Sequence, residues 1–248
     1  MSPTSGVIGE AWSLYKSHWR HLLPLAFVTY LVVALLTALL AAILTWVGAI
    51  IGFFISLVAV FWLQAALVKA VEDLRDGRAD LSLQETFDAA KPHLGSVLVA
   101  GILAGLGIAI GLVLLIVPGL FLMTIWAVII PVIVLEGKSA GESFSRSREL
   151  VRGNGWGVFG VIVLTILLLI GFEIVLGLIL TPFADWLRGF ISNIVSGTLT
   201  APFIAVVLTL LYFRLKAAKE PVADPEHVAV TPPPTPTDPG EPPPAPAG

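Results

Sequence analysis

Few residues in this chain are of the types that usually carry chemistry. There is no cysteine, which excludes a thiolate nucleophile, a disulfide and a zinc-thiolate site. The chain has four histidines, His18, His21, His93 and His227. None of them pairs with an acidic residue at the spacing that metal ligands take on a helix. Hydrolase, zinc-protease and phosphate-loop motifs are also missing, so the sequence predicts a protein that is not an enzyme and holds no metal or cofactor.

One acidic residue, Glu173, lies inside a long apolar run. A carboxylate inside a membrane costs several kcal/mol unless it is protonated or has a polar partner. The outer half of the next apolar run carries Asn193, Ser196 and Thr198, and Arg188 lies close enough in sequence to reach down to the carboxylate. Glu173, Asn193, Ser196 and Thr198 are therefore a candidate intramembrane polar site for a proton, an ion or a lipid headgroup. The alternative is a structural carboxyl group that fixes helix packing.

The composition indicates what kind of element positions these residues. Hydrophobic residues make up 57% of the 248 residues, charged residues 12%, and the mean hydropathy is +0.95. A soluble domain has roughly 25% charged residues, and a globule of this size cannot hide so much apolar surface from water. These values exclude a soluble enzyme and a secreted disulfide scaffold, and no basic run indicates a nucleic-acid partner. A multi-span membrane protein in a lipid bilayer remains.

Six apolar runs approach or exceed the length of about 20 residues that crosses a bilayer. They are 22–46, 49–71, 94–117, 120–135, 157–180 and 191–215. The fourth run is short and contains Pro131, so its ends are the least certain. The first run is longer than the apolar region of a signal peptide, which has roughly 7–15 residues, so we expect a retained helix.

Basic residues are distributed unevenly around these runs. Thirteen of the 14 lysines and arginines fall on one side of the six spans, and only Arg188 falls on the other. The positive-inside rule then predicts that both termini are cytoplasmic, which fits a multi-pass protein of a bacterial inner membrane. Residues 1–219 form the predicted membrane domain, and the proline-rich residues 220–248 are predicted to be a disordered cytoplasmic tail.

A short pattern, Glu-x-aromatic, precedes each odd-numbered run and opens an amphipathic stretch. Its copies are Glu10-Ala11-Trp12, Glu85-Thr86-Phe87 and Glu142-Ser143-Phe144, in stretches near 5–19, 82–91 and 139–152. Ser82 and Ser139 lie three residues before the glutamates of the last two copies, which predicts capping boxes. The sequence thus predicts an all-α fold of six transmembrane helices, built as three repeats of an interfacial helix plus a two-span hairpin. The alternative is three unrelated interfacial helices.

The third amphipathic stretch is basic. Arg146, Arg148 and Arg152 lie away from its less polar stripe. Each basic residue near a membrane surface attracts anionic lipid by about 1 kcal/mol. We therefore predict anionic-lipid contacts at these three arginines, with an ordinary solvated face as the alternative.

Residues 118–164 carry the most recognisable motifs of the chain. They are Pro118-Gly119, Pro131-Val132 to Glu136-Gly137, Ser143 to Ser147 and Gly155-Trp156, with further matches at 91–95 and 211–215. In this pattern, residues 5–219 resemble the bacterial multi-pass family named for the membrane domain of glycerophosphoryl diester phosphodiesterase. The resemblance implies a stand-alone membrane module, because the phosphodiesterase reaction belongs to a separate soluble barrel domain that nothing here matches.

We therefore expect a membrane protein that acts as a scaffold or accessory module in envelope or lipid metabolism, with another membrane protein as its partner. The alternative is a small transporter or lipid-handling protein that uses a polar cavity near Glu173. An intramembrane hydrolase is disfavoured, because Glu173 has neither a nucleophile nor a metal partner in the sequence.

Overall fold

The computed structural model describes residues 2–75 and 81–220. Within these ranges the chain forms nine α-helices and one short 3-10 helix, which confirms the all-α prediction for this part of the protein. The helices are α1 (Val7–Ser17), α2 (Trp19–Arg75), α3 (Leu83–Ala90), α4 (Leu94–Leu114), α5 (Ile116–Ile125), α6 (Ile129–Glu136), α7 (Ala140–Val151), α8 (Gly155–Ile179) and α9 (Asp185–Lys219), and the 3-10 helix is Lys91–His93. Residues 221–248 lie outside the described ranges, so the disorder of the tail stays a prediction.

Five helical segments of the described residues are long and apolar enough to cross a membrane. Their most apolar windows have mean hydropathies from 2.1 to 2.9. The segments are Trp19–Arg75, Leu83–Leu114, Ile116–Glu136, Gly155–Ile179 and Asp185–Lys219. They indicate a protein embedded in a membrane.

The longest helix, α2, is broken at Thr45, where φ is 52° and ψ is −126°. A straight helix of 57 residues would be about 85 Å long, nearly three times the roughly 30 Å hydrocarbon core. The two arms lie against each other, because a Cβ at Gly48 would come within 1.9 Å of the Leu40 carbonyl oxygen. The chain therefore reverses at Thr45, one residue before the end of the first predicted apolar run. We call the arms α2a (19–44) and α2b (46–75).

A second break separates α5 from α6, at residues 126–128. Pro131 follows closely and has no N–H to continue the helical hydrogen bonds. Ser147 of α7 fills the gap, because its hydroxyl donates to the Ile125 carbonyl at 2.8 Å and accepts from the Val128 N–H at 3.4 Å. Backbone groups that a buried helix break would leave unpaired are thus satisfied by the next short helix.

The buried core lies at one end of the helix bundle. Buried apolar side chains concentrate in three helix segments, 62–75 of α2b, 126–136 and 203–216 of α9. The short helices α1, α3 and α7 pack against these segments. We call the three segments together with the three short helices the collar. Beyond the collar, large apolar side chains on α2, α4, α5 and α8 are exposed, as expected for surfaces that face lipid rather than water.

The reversal at Thr45 yields a prediction about two glycines. The substitution Gly48→Ala should lower the free energy of unfolding by about 1–3 kcal/mol, because the added methyl group meets a backbone oxygen that cannot move aside. Gly105→Ala is the matched control, since a Cβ there has nothing within 4 Å. Thermal unfolding in mild detergent measures both variants. Equal unfolding temperatures would contradict the close approach of the two arms.

Candidate functional site

Two collar helices each place an aromatic ring edge-on against an aromatic ring of one of the three buried segments. Phe87 of α3 packs against Trp62 of α2b with ring centroids 5.4 Å apart, and Phe144 of α7 packs against Trp126 at 4.9 Å. The Trp62 indole N–H also donates to the Phe87 carbonyl at 3.1 Å. Such edge-to-face pairs contribute about 0.5–1.5 kcal/mol beyond their buried area. The aromatic residue of the repeated pattern is therefore what docks each helix.

The first collar helix docks in the same manner, on the last long helix. Trp12 of α1 packs edge-on against Phe203 of α9 at 6.2 Å, and Tyr15 packs against the same ring at 6.0 Å. The Tyr15 hydroxyl donates to the Leu199 carbonyl at 3.1 Å. This carbonyl lies next to the break in helical hydrogen bonding that Pro202 imposes on α9. Helix α1 thus joins the beginning of the described chain to its end.

The collar helices bury the same face. In each of them, the residue that follows the glutamate of the pattern is buried, and so is the residue one turn later. These pairs are Ala11 with Tyr15, Thr86 with Ala90, and Ser143 with Ser147. Residues four apart lie on one face of a helix. Each short helix therefore buries the two residues of its pair against the long helices.

Both predicted capping boxes are confirmed. The Ser82 hydroxyl accepts from the Glu85 N–H at 3.3 Å, and the Glu85 carboxylate accepts from the Ser82 N–H at 2.8 Å. Ser139 and Glu142 make the same pair of bonds at 3.4 and 3.0 Å. Hydrogen bonds from Ser139 hold the pKa of the Glu142 carboxyl below its usual value. The start of α1 has no side-chain cap, so only two of the three copies share this device.

The most polar contact of the collar surrounds Glu136 at the end of α6. Arg146 of α7 donates to both carboxylate oxygens, from Nε at 2.9 Å and from Nη2 at 3.2 Å. The Tyr212 hydroxyl of α9 donates to Oε1 at 2.9 Å, and the Lys216 ammonium lies 3.6 Å from the same oxygen. We call these four residues the Glu136 cluster. It joins α6, α7 and α9 through one carboxylate.

Partial burial makes the Glu136 cluster important for stability. The Glu136 side chain is only 9% exposed and that of Arg146 16%. Hydrogen bonding to Glu136 raises the pKa of the Arg146 guanidinium above its ordinary value, so the arginine stays charged. Arg146 also donates to Glu149 at 3.1 Å and pairs with Glu220. A buried charge that loses its partner is strongly destabilising, so the cluster holds three helices in one register.

Glu136 is not among the predicted site residues and belongs only to one of the sequence motifs. The available signal was an acidic residue at the end of an apolar run, with Arg146 ten residues later. The lipid contact of Arg146 stays a prediction, and in the structure its guanidinium pairs with carboxylates of the chain itself. Arg148 and Arg152 are exposed and make no ion pair within the described residues.

The predicted intramembrane site is brought together only in part. The Ser196 hydroxyl donates to the Glu173 carboxylate, which lines an open apolar cavity of about 390 Å³ on α8. Asn193 is exposed on α9. Thr198 is buried, and its hydroxyl has no hydrogen-bond partner within the described part of the chain. Arg188 pairs with an aspartate at the start of its own helix instead of reaching Glu173.

Comparison with protein-family models, curated proteins and solved structures finds no match to this chain. The resemblance stated above therefore stays a prediction that depends on residue motifs. In the described ranges, no group of three or more histidine, aspartate or glutamate side chains is arranged to hold a metal ion.

The Glu136 cluster yields a second prediction. Arg146→Gln should lower the free energy of unfolding by about 1–3 kcal/mol, because it leaves a largely buried carboxylate without its main donor. Arg148→Gln removes the same charge from an exposed position two residues away and should change stability little. Thermal unfolding of the two purified variants in the same detergent compares them. A larger loss for Arg148→Gln would contradict the clamping role of the cluster.

Proposed function

We propose that the chain is a multi-pass membrane module without a catalytic site, which scaffolds or assists a partner membrane protein in envelope or lipid metabolism. The collar supports this proposal. Its short helices are fixed by aromatic pairs and by the Glu136 cluster, so it forms a pre-organised surface at one end of apolar helices. A pre-organised surface binds a partner without the cost of ordering loops and side chains.

The proposal includes six membrane spans in three repeats. The reversal at Thr45 supports six, since α2a alone is about 39 Å long and can cross the bilayer separately from α2b. The contacts of the collar support the repeats, because each short helix docks on the second span of another hairpin. Helix α3 docks on α2b, α7 docks on Trp126 at the break between α5 and α6, and α1 docks on α9. In this arrangement the collar and both termini are cytoplasmic.

Labelling of single cysteines tests this topology, since the natural chain has none. Ser145 on α7 and Thr181 between α8 and α9 are both exposed. A membrane-impermeant maleimide added to spheroplasts should label the Thr181→Cys variant and spare Ser145→Cys. Inverted membrane vesicles should give the opposite pattern, and labelling of both positions from the same side would contradict six spans.

Cross-linking in living cells tests the scaffold role. A photo-activated amino acid at Leu83 on the collar should capture one membrane protein, whereas the same group at Ile43 near the tip of α2a should capture only lipid. Both side chains are exposed, at 42% and 66%. Native mass spectra of the full-length protein in mild detergent should then contain that partner in fixed stoichiometry. A chain that purifies alone with one lipid species would contradict the scaffold role.

A small transporter or lipid-handling protein is the second candidate, favoured by the hydrogen bond from Ser196 to Glu173 across α8 and α9. Acidic residues inside membrane spans are typical of proton pathways. Glu173→Gln should then abolish potential-driven proton uptake into proteoliposomes, with Asp185→Asn as the control. No uptake by the natural chain, or equal uptake by the Glu173 variant, would exclude this candidate.

A further inference from the structure

Two of the interfaces between neighbouring hairpins are sealed by an aromatic ring on a glycine. The ring of Phe61 in α2b covers Gly101 of α4, where an added Cβ would come within 2.0 Å of the ring. The ring of Tyr30 in α2a covers Gly197 of α9, with a corresponding distance of 2.3 Å. Glycine allows such close approach of helices in membranes. Neither interface leaves room for a lipid chain at these points.

The interface between α5 and α8 is open instead. A groove of about 930 Å³ lies along this interface, lined by apolar side chains that include Leu120 and Phe121 on α5 and Trp156 and Phe159 on α8. A Cβ added at Gly155, which also lines the groove, has nothing within 4 Å. The groove lies between apolar helices that face lipid, so the molecules that surround it are lipid acyl chains.

One end of this groove is polar, and two exposed arginines lie close to it in sequence. Asn154 and Ser2 line it there, next to Gly153. Arg152 directly precedes Gly153, and Arg148 lies one helical turn earlier on α7. Both arginines are exposed and form no ion pair with another described residue. An apolar groove whose polar end adjoins two exposed arginines in the sequence is complementary to an acyl chain that carries an anionic headgroup.

We propose that the groove between α5 and α8 binds one anionic glycerophospholipid from the surrounding bilayer. One acyl chain lies between Phe121 and Trp156, and the phosphate lies at Arg152 and Arg148. The acyl chain gains little by leaving other lipid chains, so the charge of the headgroup supplies the selectivity. This site does not depend on the proposed scaffold role, because a lipid can occupy the groove whether or not a protein binds the collar.

Lipid binding by the full-length chain tests the proposal. In native mass spectra, phosphatidylglycerol should occupy one site more tightly than phosphatidylcholine. The double variant Arg148→Gln, Arg152→Gln should lose most of this preference, by roughly fivefold for each arginine. Lys16→Gln is the charge control, since it removes an exposed basic residue of the collar outside the groove. Equal affinity for the two lipids, or an equal loss with Lys16→Gln, would overturn the assignment.

A second pair of variants tests the groove itself. Gly155→Phe should fill it and abolish the tight site, whereas Gly177→Phe on the same helix should not, although both positions have open space for a side chain. The unfolding temperatures of both variants are measured to establish that each variant keeps the fold. Unchanged phosphatidylglycerol binding by a folded Gly155→Phe variant would overturn the proposal. So would a protein segment, rather than a lipid, bound in the groove of the purified natural chain.

Discussion

The carboxylate of Glu136 sets the register of the collar. It is largely buried, so it requires the Arg146 guanidinium and the hydroxyl of α9 that reach it. The same position of α7 brings Phe144 onto the ring of Trp126 and the next residue after the arginine, Ser147, to the break between α5 and α6. A slip of α7 by one residue would break all three contacts together, because neighbouring residues of a helix point about 100° apart.

The rest of the structure follows from how the collar arranges the long helices. Each short helix fixes the end of one long helix, and the apolar remainder is free to face lipid. Close packing by glycine continues this arrangement into the membrane at Gly101 and Gly197. Where no ring covers a glycine, between α5 and α8, a groove remains. The collar and this apolar groove are the two surfaces on which the proposed binding of a partner and of a lipid depends.

Local sequence signals were sufficient for part of this structure. The capping boxes at Ser82 and Ser139 were predicted because both partners lie within one helical turn. Local signals could not predict the Glu136 cluster, since Tyr212 lies 76 residues from Glu136 in the sequence. The ion pair of Arg146 with Glu136 was not predicted for the same reason, because a basic residue on an amphipathic helix gives no sign of a tertiary partner. Which residues of the next helix lie beside Glu173 depends on how deep each of them sits in the membrane. Hydropathy indicates this depth only coarsely.

The docking of α1 on α9 is the contact that closes the collar, and it tests the account most directly. Cysteines replacing Glu10 and Arg214, whose partly exposed side chains form an ion pair between α1 and α9, should be joined by a short bifunctional maleimide in native membranes, as identified by mass spectrometry of the linked peptides. Cysteines replacing Glu10 and Trp62 should not be joined, because Trp62 packs against α3 instead. Linkage of the second pair without the first would contradict the arrangement described for this protein.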